Sequence, residues 1–228
     1  MNSRRIVIIV AGGSGTRMGA DIPKQFLPLL GKPILIHTIE TFLALPSIIE
    51  IILVLPASQI PVWFDLCKKH HFDIKYTIAE GGETRFQSVT NGLMKVIDSD
   101  ALVAIHDGVR PLVSREVIER CFREAEKYGN AIPAIKPLET VRFCEESGTI
   151  PVDREKVLLI QTPQVFKSSI IKQSYQTQWQ SSFTDDASVV EYAGNQVHIV
   201  EGNQENIKIT TPQDLLFAEV ILKKNNPC

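Results

Sequence analysis

The feature that most restricts the fold is a regular alternation of short apolar runs with amphipathic stretches over residues 5–135. The runs at 5–10 (RIVIIV) and 49–55 (IEIILVL) are apolar on both faces of the strands that they predict. Such strands are typical of a parallel sheet that helices cover on both sides. The alternation therefore predicts an α/β fold with a mostly parallel, twisted sheet and helices on both faces.

The same pattern predicts the individual elements. Strands are expected at residues 5–10, 49–55, 73–79, 101–106, 130–135 and 196–200. Helices are expected at 33–45, 58–71, 84–97, 114–128, about 167–178 and 211 to about 223. Ligands of such sheets bind beyond the carboxyl ends of the strands. The polar loops after the first, third and fourth strands should therefore meet at one edge.

The loop VAGGSGTRMGADIPKQF (10–26) follows the first predicted strand. It lacks the Walker A spacing, and its last glycine comes one residue too late for the dinucleotide fingerprint. A plain glycine-rich turn is an alternative, but such a turn does not require Arg17 and Lys24. The amides of residues 12–15 can point inward together and wrap a polyanion. Arg17 presents a planar fork to phosphate oxygens, and Pro23 helps to aim Lys24. The loop therefore predicts a phosphate-binding site.

Acidic residues and one further cation accompany this loop. Asp107 follows a predicted strand, where a carboxylate that faces phosphates usually binds a hydroxyl group or a divalent cation. One of Asp185 and Asp186 is expected to cap a helix, because both begin a helix-like run. Lys208 is either a third phosphate-binding cation or a solvated surface lysine. His106 is interpreted as structural, because neighbours on a strand point to opposite faces. The pattern indicates phosphate electrostatics rather than a nucleophilic triad.

The alternation breaks between about 136 and 160. KPLETVRF (136–143) and GTIPVDREKVLLIQ (148–161) read as extended segments joined by a turn at 146–148, which predicts a β-hairpin arm. The arm is either a decorative insertion or a dimerisation element. We favour dimerisation, because long exposed hairpins with apolar edges tend to find partners.

Composition excludes several classes of function. The chain of 228 residues has a formal net charge of −2, which argues against nucleic acid as a main partner. The four cysteines (Cys67, Cys121, Cys144 and Cys228) form no metal-binding motif and are expected to be unpaired thiols. The apolar runs are too short for a signal sequence or a membrane span. We therefore expect a cytoplasmic protein without membrane or nucleic-acid partners.

The motifs together resemble those of nucleotidyltransferases that join a sugar phosphate to a nucleoside triphosphate. The string AGG-x-G-x-R-M, with the lysine of PKQF seven residues after the arginine, carries this resemblance. GGETRFQSV, HDGVRP, VDR, QTPQVF, TDDASVVE and EGNQENIKIT follow in the order of the 2-C-methyl-D-erythritol 4-phosphate cytidylyltransferase family of the non-mevalonate isoprenoid pathway. The resemblance extends from about residue 5 to residue 222. It implies a Rossmann-like nucleotidyltransferase fold, in a single domain over 1–228 that carries the arm.

The resemblance also implies the reaction and the residues that perform it. In that family CTP and methylerythritol phosphate react with Mg²⁺, which the CTP phosphates mainly hold, to give a CDP-alcohol and pyrophosphate. The implied catalytic residues are Arg17 and Lys24, which stabilise the transition state, Lys208, which holds the phosphates and positions the substrate, and Arg154, which contributes to positioning. The implied nucleotide-binding residues are Ala11, Gly12, Gly13, Gly15, Gly82, Glu83, Ser88, Asp107 and Gly108. The implied acceptor-binding residues are Asp107, Arg110, Thr140, Arg154 and Thr184. In that family the arm is exchanged across a homodimer, so each site would take Thr140 and Arg154 from its partner.

Two motifs depart from the family pattern. Gly108 and Val109 stand where the family often has two alanines, and Glu83 stands where it often has aspartate. Ribitol-5-phosphate cytidylyltransferase shares AGG-x-G-T-R-M and PKQF and also tolerates valine before the arginine, so ribitol 5-phosphate is an alternative acceptor. A nucleotide-binding module without catalysis is an alternative of another class, which the intact Arg17, Lys24 and Lys208 disfavour.

Overall fold

The structure is a computed structural model that describes residues 3–12, 22–47 and 49–225. Its strands are β1 (Arg5–Val10), β2 (Pro28–Leu29), β3 (Lys32–Pro33), β4 (Ile49–Leu55), β5 (Thr77–Glu80), β6 (Leu102–Asp107), β7 (Asn130–Ile135), β8 (Val141–Glu145), β9 (Gly148–Val152), β10 (Leu159–Ile160), β11 (Gln164–Lys167) and β12 (Ile199–Glu201). Its helices are α1 (Ile34–Leu43), α2 (Ile60–Lys69), α3 (Arg85–Leu93), α4 (Arg115–Tyr128), α5 (Ser168–Ser174), α6 (Asp186–Tyr192) and α7 (Pro212–Asn225).

The main sheet has eight strands and is mostly parallel, as the sequence predicts. Its order is β10-β7-β11-β6-β1-β4-β5, and β12 also pairs with β7. The strands β5, β4, β1 and β6 pair in parallel with one another. The strand β11 lies antiparallel between β6 and β7. The predicted fold class is therefore confirmed.

Alternating side chains of the central strands bury two separate apolar layers. In β1, Val7 and Ile9 belong to the layer that holds Phe42 of α1, and Ile6 and Ile8 belong to the layer that holds residues of α3. The helices α2 and α4 also contribute to the first layer, and α5 and α6 to the second. A strand has a side-chain period of two, so an all-apolar strand needs helices on both faces.

The register of the strands places their carboxyl ends side by side. Val10 is level with both Val54 and Asp107, and Leu55 is level with Glu80. The segments that follow β1, β4, β5 and β6 therefore leave the sheet at one edge. This arrangement positions the candidate site.

The predicted arm is an antiparallel hairpin of β8 and β9. Pairs run from Val141 opposite Val152 to Glu145 opposite Gly148, and the turn lies at 146–147. The hairpin is largely exposed, and Phe143 and Ile150 expose 65% and 47% of their surface. The hairpin is thus confirmed as an element, while its role in dimerisation stays a prediction.

The helices predicted at 84–97 and about 167–178 end earlier, at Leu93 and Ser174. Three strands also differ from the sequence-based expectation. The third strand begins at Thr77 instead of residue 73, because its neighbour β4 pairs with it only from that residue onward. The segment 162–166, which lies in none of the predicted elements, enters β11, since four residues are too few to display a period. The last predicted strand, at 196–200, is shifted to β12, because the His198 amide bonds the Asn130 side chain before the ladder begins. Among the described residues, no helix is long and apolar enough to cross a bilayer.

Candidate active site

A cleft opens at the carboxyl edge of the central strands. Its lining comes from the segments after β1, β5 and β6. Lys24 and Lys208 add two amino groups. The described residues that line it are Val10, Ala11, Gly12, Lys24, Gln25, Gly82, Glu83, Thr84, Arg85, Ser88, Asp107, Val109 and Lys208. Eight residues predicted from the sequence therefore meet in one cleft, namely Ala11, Gly12, Lys24, Gly82, Glu83, Ser88, Asp107 and Lys208. The predicted residues Gly13, Gly15 and Arg17 lie outside the described residues.

Backbone and amide hydrogen bonds hold the first described part of the opening loop. The amide of Ala11 donates to the carbonyl of Val54 (2.9 Å). The side-chain nitrogen of Gln25, which is fully buried, donates to the carbonyl of Ala11 (2.7 Å). Gln25 belongs to the short helical turn that Lys24 begins, so this bond also fixes the start of that turn relative to the loop.

The loop after β5 brings its backbone close to the start of α3. Thr84 caps α3 by accepting from the amide of Gln87, and the Gln87 side chain accepts from the amide of Thr84 in return. The amide of Gly82 donates to the Ser88 hydroxyl (3.1 Å). A Cβ atom at Gly82 would lie 2.4 Å from Cβ of Gln87, so a larger residue does not fit without a shift. A flat backbone surface beside a hydroxyl group suits the close approach of a planar ligand.

Asp107 lies at the centre of a cluster of positive charge. Lys208 Nζ and Arg110 Nε lie 3.0 Å and 3.1 Å from its Oδ2, and Arg85 Nε lies 3.9 Å from its Oδ1. Burial alone would raise the pKa of Asp107, but Lys208, Arg85 and Arg110 outweigh burial and hold the pKa well below its usual range. The carboxylate is therefore ionised, and three cations around one anion leave net positive charge at the cleft.

A second pocket adjoins the cleft and shares Arg85, Asp107 and Lys208 with it. Its remaining described lining residues are Arg110, Ile160, Gln161, Thr162, Gln164, Thr184 and Asp185. The predicted acceptor residues Asp107, Arg110 and Thr184 thus lie together in this pocket. Arg110 also donates to the carbonyl of Asn206 (2.7 Å), which ties it to the segment that carries Lys208.

Three predicted site residues lie apart from both pockets. Gly108 lies beneath the cleft, where its amide donates to the carbonyl of Val10 (2.9 Å) and a Cβ atom would lie 2.9 Å from Cβ of Ala11. Thr140 and Arg154 lie on the arm, and the Arg154 guanidinium donates to the carbonyl of Leu138 (2.8 Å). Within this one chain, the described residues of the two pockets do not include them.

The two acids before and at the start of α6 have different roles. Asp185 caps α6 by accepting from the amide of Ser188 (2.9 Å), as predicted for one of the pair. Asp186 is fully buried and forms a bidentate ion pair with Arg85. Arg85 and Gln25 are therefore site residues that sequence reasoning missed, although both lie inside quoted motifs (GGETRFQSV and PKQF).

His106 is buried, and its hydrogen bonds help to hold the backbone on which the site is built. Its Nε2 lies 3.0 Å from the carbonyl of Arg110, which only accepts, so Nε2 carries the proton. Its Nδ1 then accepts from the Thr162 hydroxyl (3.1 Å), whose oxygen accepts from the amide of Asp107. Its ring also meets Phe42 edge to face. Burial lowers the pKa of His106 to about 4, so the ring is neutral.

Within the described residues, no group of three or more His, Cys, Asp or Glu side chains is placed to hold a metal ion. Asp107 already has three cationic partners. The described residues therefore offer no cage of carboxylates here. A hard cation at this site would need ligands from a bound polyphosphate and water, as Mg²⁺ commonly has.

Comparison with known proteins identifies one family. The family described as 2-C-methyl-D-erythritol 4-phosphate cytidylyltransferase matches residues 5–224. A protein of that name from Phocaeicola vulgatus is 55% identical over 218 residues, which cover 96% of this chain and 99% of that protein. One from Bacteroides thetaiotaomicron is 51% identical over 219 residues, which cover 96% of this chain and 100% of that protein. The crystal structure of 4-diphosphocytidyl-2C-methyl-D-erythritol synthase from Anaerococcus prevotii superposes with a TM-score of 0.82 at 31% identity and covers 97% of each chain.

The neutral, buried state of His106 predicts a pH-dependent stability. The folded pKa of about 4 lies below the ordinary 6.5, so between these values the unfolded chain binds a proton that the folded chain does not. The contribution of His106 is fully present above pH 6.5 and is lost as the pH falls towards 4.

His106→Gln should therefore cost less stability at low pH, by about 2 kcal/mol between about pH 7 and pH 5. Urea unfolding at both pH values measures this change. The control Gln176→Ala changes an exposed side chain that does not titrate and should show a constant difference from the native protein. An equal cost of His106→Gln at both pH values would contradict the prediction.

Proposed function

This chain belongs to the 2-C-methyl-D-erythritol 4-phosphate cytidylyltransferase family, and we propose that it transfers CMP from CTP to 2-C-methyl-D-erythritol 4-phosphate. The products are 4-diphosphocytidyl-2-C-methyl-D-erythritol and pyrophosphate. The observation that carries the proposal is the cleft itself. Amino groups and close backbone meet there around an ionised carboxylate, beside a second pocket that shares the same charges. Two adjoining cationic pockets suit a reaction between two anions.

The acceptor needs no general base. A phosphate monoester is largely dianionic at neutral pH, since its second pKa is about 6. Its oxygen attacks the α-phosphorus of CTP, the bond to the bridging oxygen breaks, and pyrophosphate leaves with the electron pair. The difficulty is to bring two polyanions together while charge grows on the leaving oxygen. Fixed positive charge and positioning supply most of the required stabilisation.

We assign the fixed charge to three residues. Lys24 and Lys208 line the cleft, and the family pattern adds Arg17. Lys208 is held at Asp107, which supports its role in placing the phosphates. A cation held in advance by a carboxylate loses less conformational entropy when the substrate arrives.

We assign the cytosine to the loop after β5. Close packing leaves no space for a side chain at Gly82, and Ser88 and the neighbouring amides can read the edge of a base. The amides at the start of α3 also favour negative charge. The acceptor then occupies the adjoining pocket, where Arg110 and Thr184 accompany Asp107.

We expect Mg²⁺ to be the metal cofactor, bound mainly by the phosphates of CTP. This expectation agrees with the shortage of carboxylate ligands noted above. When bound, Mg²⁺ neutralises phosphate charge and polarises the phosphoryl oxygens. The residues Lys24 and Lys208 act on the same phosphates from the protein side.

We also propose that the chain forms a homodimer through the arm at about 136–160. Thr140 and Arg154 would then complete the acceptor pocket of the partner. The exposed apolar side chains of the hairpin support this proposal, as does the absence of both residues from the described pockets of their own chain. A single domain over 1–228 and a cytoplasmic location stay predictions.

The acceptor is tested by an assay of pyrophosphate release from CTP and Mg²⁺ with two alternative phosphates. We expect turnover with methylerythritol phosphate and a kcat/KM for ribitol 5-phosphate that is lower by on the order of hundredfold or more. Preference for ribitol 5-phosphate would establish the alternative acceptor. Binding of CTP in calorimetry without release of pyrophosphate from either phosphate would indicate a nucleotide-binding module.

The charge assignment is tested by Arg17→Ala and Lys24→Ala. Each variant should fold normally and lose roughly a hundredfold or more in kcat, because a charge aimed at the transition state is removed. The control Lys69→Ala removes an exposed cation of α2 and should leave the rate unchanged. Circular dichroism checks the fold, and steady-state kinetics measure the rate. A near-normal rate in either site variant would refute its assignment.

The exchanged arm is tested by complementation. Arg154→Ala damages the arm, Lys208→Ala damages the cleft, and each homodimer should be nearly inactive. Co-expression gives heterodimers in which one site carries both lesions and the other carries none, so activity should return to about a quarter of the native value. If each chain used its own arm, every site would carry one lesion and the mixture would stay inactive.

A further inference from the structure

We propose that Arg85 is a positioning residue that sets the orientation of the Asp107 carboxylate, and that Asp186 and Tyr175 hold Arg85 for this task. The inference rests on the proposed function, because it gives Arg85 a part in that reaction. Neither the resemblance to the family nor the charge assignment above gives a role in the reaction to Arg85, Asp186 or Tyr175.

Both terminal nitrogens of the Arg85 guanidinium donate to the Asp186 carboxylate. Nη1 donates to Oδ1 of Asp186 (2.8 Å), and Nη2 donates to Oδ2 of the same carboxylate (2.6 Å). A parallel pair of this kind fixes the plane of the guanidinium as well as its distance. Nε takes no part in this pair and lies 3.9 Å from Oδ1 of Asp107.

Asp186, the carboxylate that holds Arg85, is itself held in place. Asp186 is fully buried at the start of α6. The Tyr175 hydroxyl, also in the interior, donates to Oδ1 of Asp186 (2.6 Å). Burial and the neighbouring carboxylate of Asp186 raise the pKa of Tyr175 well above its ordinary value, so the hydroxyl stays a donor. The first residues of α3 and α6 are thereby joined through one buried ion pair.

The ion pair with Asp186 gives Arg85 a different role from that of the cations proposed to bind phosphate. If the fork turned towards a triphosphate, Asp186 would be left as an unpaired buried charge, which is strongly unfavourable. Burial alone would lower the pKa of Arg85, but Asp186 and, more weakly, Asp107 raise it. Arg85 therefore stays charged and in place whether or not a substrate is bound.

The partners of Asp107 divide between its two oxygens. Lys208 and Arg110 both contact Oδ2, and Arg85 alone among these three faces Oδ1. Attraction at both oxygens restrains rotation of the carboxylate about its axis. Without Arg85, both close charge partners would pull on one oxygen, and the carboxylate would turn towards them. Because Arg85 lines both pockets, this change would reach the nucleotide side and the acceptor side together.

A double-mutant cycle with Arg85→Met and Asp107→Asn tests the inference. If Arg85 acts through Asp107, Arg85→Met should lower kcat/KM by on the order of tenfold in the native background and by less than about threefold in the Asp107→Asn background. The expected ratio of more than about threefold between the two backgrounds converts to about 0.7 kcal/mol of coupling or more, a size seen for groups in contact. Equal factors in both backgrounds would overturn the inference.

Milder variants keep the test valid if Arg85→Met folds poorly. Tyr175→Phe removes one hydrogen bond from Asp186 and leaves every charge in place, so it should lower kcat/KM by a smaller factor that again shrinks in the Asp107→Asn background. Arg85→Lys keeps the charge without the fork and should lie between the native protein and Arg85→Met. A loss from Tyr175→Phe or Arg85→Lys that is equal in the native and Asp107→Asn backgrounds would assign the effect to the structural bond with Asp186 and overturn positioning of Asp107.

The matched control is the ion pair of Arg5 with Glu119 (2.8 Å), which lies away from the cleft and whose arginine is about as buried as Arg85. Arg5→Met should lower the melting temperature without changing kcat/KM. The native enzyme is assayed first with CTP and methylerythritol phosphate. An inactive native enzyme contradicts the proposed function, whereas an active native enzyme with additive losses contradicts only the role of Arg85.

Discussion

The attraction of three cations to the Asp107 carboxylate is the interaction on which the rest of the site depends. Arg85, Arg110 and Lys208 come from parts of the chain that are far apart in sequence, and like charges so close together would otherwise repel one another. The buried carboxylate gathers them and remains ionised because of them. The resulting group carries net positive charge and is already ordered before a polyanion arrives, which is the condition for electrostatic catalysis without reorganisation.

The sheet determines where this group can stand. Asp107 is the last residue of β6, whose residues are all buried, and it lies level with Val10 at the end of β1. The polar surroundings of Asp107 therefore begin where the two apolar layers end. His106 points away from the cleft and, as a neutral ring, links the carbonyl of Arg110 to the Thr162 hydroxyl. The core thus fixes the position of the Asp107 backbone, and the cations fix the orientation of its carboxylate.

Local pattern explains which features the sequence could predict. The apolar runs of β1, β4 and β6 and the amphipathic helices between them repeat over enough residues to show a period, and the motif loops lie at the strand ends that this period predicts. Contacts between residues that are far apart in the sequence produce no such local pattern. Arg85 and Asp186 are 101 residues apart, and neither position shows in its own neighbourhood that the other will neutralise it. Gln25 likewise acts through the carbonyl of Ala11, a contact that only the folded loop creates.

The arm requires a different argument, because Thr140 and Arg154 lie outside the two described pockets of their own chain. An isolated two-stranded hairpin is marginally stable in water, and this one exposes Phe143 and Ile150. Ile160, at the base of the arm, lines the acceptor pocket, so the arm leaves the body of the protein beside the site that it is proposed to complete. Covering the apolar side chains and supplying Arg154 to a second chain would satisfy both needs with one contact. The energy that stabilises the hairpin would then also close the active site, so an isolated chain would lack a complete acceptor pocket.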